Sequence, residues 1–199
     1  MLQRIFPAQV RAVEDGSRTV ELSFSSEAPV IRWYGAEILS HDEGAVDLTR
    51  LLEVGTVLFN HGRDVRMGKI PIAKIEKAWI DTEQKKCRAQ VTFDDDEDSD
   101  LIFQKVQKGM LNGISVGYSV SSWEEVLAGK QSSNGRFTGP ADIAIRWEPL
   151  EISFEPTPAD PAVGVGRSID EREQTNNSRG RRQSMNIIER QLQINKNFL

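Results

Sequence analysis

The stretch 111-LNGISVGYSV-120 decides how the chain folds, because it can be read in two ways. Gly113 to Gly117 match G-x-S-x-G, the nucleophile elbow in which a serine sits on a sharp turn between a strand and a helix. The same residues also alternate. Ile114, Val116, Tyr118 and Val120 fall on one side of a strand, and Ser115, Gly117 and Ser119 on the other. The residues after Ser115, VGYSVSSW, are β-branched and aromatic, which suits a strand and not the start of a helix. An elbow triad also runs serine, acid, histidine along the chain. Here the 2 histidines, His41 and His61, both precede Ser115. The α/β-hydrolase reading fails, and Ser115 belongs on a strand, with Gly117 leaving room beside its hydroxyl for the approach of another backbone.

Working outward, 142-DIAIRWEPLEISF-154 gives two alternating segments broken by Pro149, and in LEISF the residues Leu150, Ile152 and Phe154 face the core while Glu151 points the other way. Upstream, 19-TVELSF-24 and 29-PVIRWY-34 read as strands, 45-AVDLTRLLEVG-55 as a helix stopped by Gly55, and 57-VLFN-60 as a strand that delivers His61 at its tip. The apolar runs 70–80 and 87–93 flank 81-DTEQKK-86 as a hairpin. The acidic run 94-DDDEDSD-100 caps a helix over 101–110 with Ile102, Val106 and Met110 on one stripe. Residues 123–129, WEEVLAG, read as a short helical piece ahead of the loop 130–139. That makes roughly six or seven strands and two or three helices without βαβ alternation, an antiparallel β-barrel or sandwich with helices packed outside.

Residues 165–184 lose all apolar periodicity and read as a flexible linker after a folded domain over 1–164. The tail 185-MNIIERQLQINKNFL-199 is amphipathic and helical, with Ile188 and Leu192 near one face. The chain of 199 residues, 38% hydrophobic and 28% charged, has room for one core plus a tail. A net charge of -5 argues against a nucleic-acid partner, and no apolar run is long enough to cross a membrane as a helix. A single cysteine, Cys87, rules out a disulfide within the chain and favours a reducing compartment. Two histidines far apart and one cysteine are a poor metal-ligand set, the acidic run lacks EF-hand spacing, and no phosphate loop is present, so no metal or cofactor is expected.

Chemistry then rests on Ser115. A serine hydroxyl is unreactive without a base, and only His41, in the polar loop 40-SHDEG-44, and His61 supply one. Four segments in this order, 33–51, 57-VLFNHGRDVRMGKI-70, 113-GISVGY-118 and 150-LEISFEPTPADPAV-163, resemble the prohead maturation proteases of tailed phages, over about residues 15–165. That family is similar in fold to the herpesvirus assemblin proteases, a β-barrel with surrounding helices. The resemblance implies Ser115 as nucleophile, His61 as base and Glu151 as the group that orients His61, with Asp64 and Glu148 as rivals for the third place. It implies a serine endopeptidase that cleaves capsid and scaffold proteins, and itself, during procapsid maturation in the host cytoplasm. Its partners would be the major capsid protein and a scaffold segment as substrates, with a homo-oligomer as the working form. The 185–199 helix would begin a scaffold or capsid segment.

No motif names the oxyanion donor. The backbone of the Gly62–Gly68 loop, Arg63, Arg66 and Arg146 are candidates. The chain departs from the family in carrying Asp160 where P-A-N is usual, and in the longer segment 127–139. Two other classes stay open: a non-catalytic capsid assembly or scaffold component on the same fold, and a serine esterase or peptidase acting on a small molecule.

Overall fold

Two long neighbouring strands, Gly113–Val126 and Ala141–Glu155, organise the molecule. The computed structural model describes residues 1–7, 10–13, 16–32 and 35–156; the expectations for Asp160, the 165–184 linker and the 185–199 helix lie outside the described residues. Those residues form β1 (Leu2–Pro7), β2 (Arg11–Ala12), β3 (Thr19–Ser26), β4 (Val30–Arg32), β5 (Gly35–Leu39), α1 (Thr49–Val54), β6 (Thr56–Phe59), β7 (Ala73–Asp81), β8 (Lys86–Phe93), α2 (Glu97–Gln107), β9 (Gly113–Val126) and β10 (Ala141–Glu155). The main path of the sheet runs β1-β9-β10-β6-β7-β8-β3-β2, with β4 joined through β5 to β10.

The sheet curls as a half-barrel around one core. Val20, Leu22 and Phe24 of β3, Ala89, Val91 and Phe93 of β8, Ile114 and Val116 of β9, and Ile152 and Phe154 of β10 are all buried there. The two helices close it with Leu51 from α1 and Ile102, Phe103 and Val106 from α2. Phe93 stands between Phe103 and Phe154, its ring centroid 5.2 Å from each. The 3.6-residue spacing of α2 and the two-residue spacing of the strands aim these side chains at one space.

Four details correct the sequence reading. The sheet is mixed, not antiparallel throughout, because β5 and β6 both lie parallel to β10. Residues 123–126 continue β9, pairing with Ala141–Ala144, so a long ladder overrides the helical preference of WEEVLAG. Pro149 does not break β10. The register steps from Pro149↔Tyr118 to Glu151↔Gly117, leaving Leu150 as the extra residue of a bulge and only half-buried. Finally, α2 starts at Glu97, where the Asp96 side chain accepts from the N–H groups of Asp98 and Ser99, and it ends before Met110, which is exposed.

Candidate active site

The bulge at Leu150 sets the side-chain phase of the last third of β10. Beyond it Ile152 and Phe154 enter the core, so Glu151, Ser153 and Glu155 share the opposite face. Ser153 lies beside Ser115 in register, Glu151 beside Gly117 and Glu155 beside Gly113. The two glycines of G-x-S-x-G therefore have a task unrelated to an elbow. A Cβ at Gly117 would stand 2.7 Å from Glu151 Cγ and 2.8 Å from its Oε1, and one at Gly113 would stand 2.7 Å from the Glu155 carbonyl oxygen. Only glycine lets β10 and its carboxylates come this close to the serine strand.

His61 arrives on the same face from β6. That strand runs parallel to β10 as far as Phe59↔Phe154, and the chain then turns through Asn60, His61 and Gly62 with φ of 49°, 53° and 67°. Left-handed backbone costs a non-glycine residue about 1 kcal/mol, and such strain collects at functional sites. The turn is held by the His61 N–H, which donates to Ser153 Oγ at 2.8 Å. The imidazole then meets Glu151 Oε1 at 2.6 Å through Nδ1 and Ser115 Oγ at 2.7 Å through Nε2. An ionised carboxylate only accepts, so Nδ1 carries the proton and Nε2 offers its lone pair to the serine hydroxyl. Serine, histidine and carboxylate make the constellation in which an imidazole withdraws a hydroxyl proton and a carboxylate holds the ring.

Ser115 is fully buried, at 0% exposure, although period-2 alternation put it on an outward face. The covering element is β1, which pairs antiparallel with β9 from Leu2↔Tyr118 to Pro7↔Gly113. The Arg4 carbonyl accepts from Ser115 Oγ at 2.9 Å, so the single hydroxyl proton has two acceptors, that oxygen and His61 Nε2. A polar cluster ties β1 down. Arg32 donates to the Gln3 carbonyl at 2.9 Å, Arg4 donates to the carbonyl oxygens of Glu37 and Ala28, and Arg63 reaches the Gln3 side chain. On the core side the Tyr118 hydroxyl donates to the buried Glu37 carboxylate, and burial together with that neighbour pushes the phenol above its ordinary range.

The remaining candidates lie elsewhere. Asp64 turns into its own loop, accepting from the N–H groups of Arg66 and Met67 at 2.9 and 3.0 Å. Glu148 accepts from Ser119 at 2.9 Å, and Arg66 pairs with Glu97 and Asp98. The Arg146 carbonyl accepts from Ser121 Oγ at 3.3 Å. His41 forms a separate buried pair with Ser25, Nε2 to Oγ 2.6 Å, but its Nδ1 donates to the Leu39 carbonyl rather than to a carboxylate. Burial lowers this imidazole to about 4. Among the described residues no cluster of His, Cys, Asp or Glu is arranged to hold a metal ion.

Two residues of the site were missed in the sequence. Ser153 and Glu155 come after Glu151 at two-residue spacing, and extending the alternation through EISFE puts both on the same strand face as Glu151. The Glu155 carboxyl is buried, its Oε1 lies 3.5 Å from His61 Nε2, and that oxygen has no hydrogen-bond partner among the described residues. A buried acceptor left in that state costs about 1–3 kcal/mol.

Comparison with known proteins adds a different kind of observation. The chain is 35% identical over 159 residues to the major capsid protein of Halomonas phage phiHAP-1, a match that covers 80% of this chain and 25% of that relative. The chain thus spans about a quarter of the length of the relative it matches. No family model and no solved structure matches it. The relative is named for a structural role in the shell. This overturns the expectation that the chain's function is endoproteolytic processing of capsid and scaffold proteins during procapsid maturation, and favours the other reading, a capsid component.

Proposed function

We propose that this chain is a component of a phage capsid polypeptide, acting within the capsid assembly beside other copies of itself. We further propose that its β9–β10 face carries a serine hydrolase centre for a peptide bond, with Ser115 as nucleophile, His61 as base and Glu151 orienting His61. The capsid reading is supported by the named relative. One observation carries the hydrolase reading: a single buried imidazole bridges a serine hydroxyl at 2.7 Å and a carboxylate at 2.6 Å through its two ring nitrogens.

In the reaction, His61 Nε2 takes the Ser115 proton as Oγ bonds to the carbonyl carbon and the carbonyl π electrons move to oxygen. The imidazolium is steadied by Glu151 at Nδ1. As the tetrahedral adduct collapses, the C–N bond breaks and the amine leaves with the proton from Nε2. Water then repeats the sequence on the acyl ester, with His61 again as base, and restores the Ser115 hydroxyl. Access requires β1 to part from β9. β1 lies at one edge of the sheet, and an extended peptide satisfies the exposed β9 edge in its place.

Mass spectrometry of purified virions tests the capsid reading: peptides from residues 1–156 are expected in the particle, and their absence would refute it. Labelling with a fluorophosphonate probe tests the hydrolase reading. The wild-type chain is expected to gain one adduct on Ser115, and Ser115→Ala and His61→Ala to gain none. Equal labelling of all three would refute it.

A further inference from the structure

We propose that Glu155 is a second positioning carboxylate for His61, acting at Nε2 as Glu151 acts at Nδ1; the proposal rests on the hydrolase reading above. The two glutamates bracket the ring, Glu151 Oε1 at 2.6 Å from Nδ1 and Glu155 Oε1 at 3.5 Å from Nε2. The backbone fixes both. Beyond the Leu150 bulge, residues 151, 153 and 155 repeat on one face of β10, and Gly113 and Gly117 are the places where β9 yields space to them.

Glu155 is buried, and one of its carboxyl oxygens has no hydrogen-bond partner among the described residues. A carboxyl oxygen removed from water with no hydrogen bond is unfavourable unless a charge compensates it. In the resting site Nε2 is a lone-pair acceptor and offers none. When Ser115 gives up its proton, Nε2 becomes an N–H of an imidazolium. A cation then stands 3.5 Å from the unpartnered oxygen. The interaction is thus stronger after proton transfer than before it, the requirement for lowering a barrier rather than tightening a ground state.

Among the described residues no other charged group is hydrogen-bonded or ion-paired to this Glu155 oxygen. From its own turn, Arg63 extends to the Gln3 side chain, and the stem of Lys69 packs against Gly62. From β1, Arg4 turns away to the Ala28 and Glu37 carbonyls, and β9 contributes Ser115. Glu151 and Glu155 are the anions that face the ring.

The test is Glu155→Gln, which keeps the shape and removes the charge, with Glu155→Asp as the variant that keeps the charge but withdraws it. The pH dependence of fluorophosphonate labelling and the NMR ring-proton titration of His61 are read on both and on wild type. An opposite charge this close stabilises the ring only in its protonated form, so its removal weakens that form alone. The acid limb of labelling and the His61 ring-proton titration are both expected to move to lower pH in Glu155→Gln. Labelling on the plateau is expected to slow by about tenfold, the loss of an interaction that strengthens as the proton arrives. Glu155→Asp should restore part of both, and the His41 resonance should stay in place as a reporter of intact packing. An unmoved or raised midpoint, or faster labelling in Glu155→Gln, would overturn the proposal. If wild type does not label at all, the hydrolase reading fails, while the His61 titration still decides whether Glu155 holds the ring.

Discussion

Acid should destabilise this fold through His41, in a pH window above that of Asp42. The ring is fully buried, its Nδ1–H donates to the Leu39 carbonyl at 2.9 Å, and its Nε2 accepts from Ser25 at 2.6 Å. Trp147 packs edge-on at 5.6 Å between ring centroids. Burial is the main reason the folded ring takes its proton only near pH 4, against 6.5 when unfolded; Arg4 and Lys85 add to it and Glu27 opposes it. Between those values the unfolded chain binds the extra proton, so stability is complete above pH 6.5 and falls as the pH drops towards 4. The slope approaches 1.4 kcal/mol per pH unit, and the interval makes the total about 3 kcal/mol. Asp42 also loses stability in acid, but in a lower window. Burial works to raise its carboxyl, hydrogen bonds from Asn134, Lys85 and Arg136 outweigh that, and the loss lies below pH 3.8. Urea unfolding followed by circular dichroism across the interval, on wild type and His41→Gln, isolates the term as the difference in slope. Equal slopes in the two proteins would refute the reasoning, as would a wild type that gains stability on acidification.

Two further outcomes rest on packing. Gly117→Ala places a Cβ 2.7 Å from Glu151 Cγ, so labelling of Ser115 should drop at least tenfold while the far-UV circular dichroism spectrum stays unchanged; undiminished labelling would show that Glu151 is not needed where it stands. Asp96→Ala removes the acceptor for the Asp98 and Ser99 N–H groups and should cost about 1 kcal/mol in urea unfolding with no change in labelling, whereas no loss would mean that α2 does not depend on its cap.

Much of the site was legible because period-2 alternation is a strong local signal. It placed Ser115 and Glu151 on polar faces of their strands, and VLFN placed His61 at a strand tip. What alternation cannot show is which strand lies beside which. The in-register meeting of Ser115 with Ser153, and the parallel delivery of His61 by β6, are long-range facts. The burial of Ser115 was missed for the same reason, since β1 covers it from more than a hundred residues away in sequence. Pro149 misled in a simpler way. It removes one N–H from the ladder, and the chain absorbs that loss as a bulge at Leu150 instead of ending the strand. The order of serine and histidines is enough to refuse G-x-S-x-G as an elbow, but the reason for its glycines, room for two glutamates on β10, needs the neighbouring strand to be seen.

Whether Ser115 is an activated nucleophile is decided by intact-mass analysis of the full chain after fluorophosphonate treatment, with peptide mapping, beside Ser115→Ala and Glu151→Gln. One adduct on Ser115 is expected in wild type, none in Ser115→Ala, and labelling slowed by about a hundredfold or more in Glu151→Gln, where the imidazole loses its orienting carboxylate. A wild-type chain that gains no adduct on Ser115, or an adduct that survives Ser115→Ala, would contradict the role of Ser115 as nucleophile.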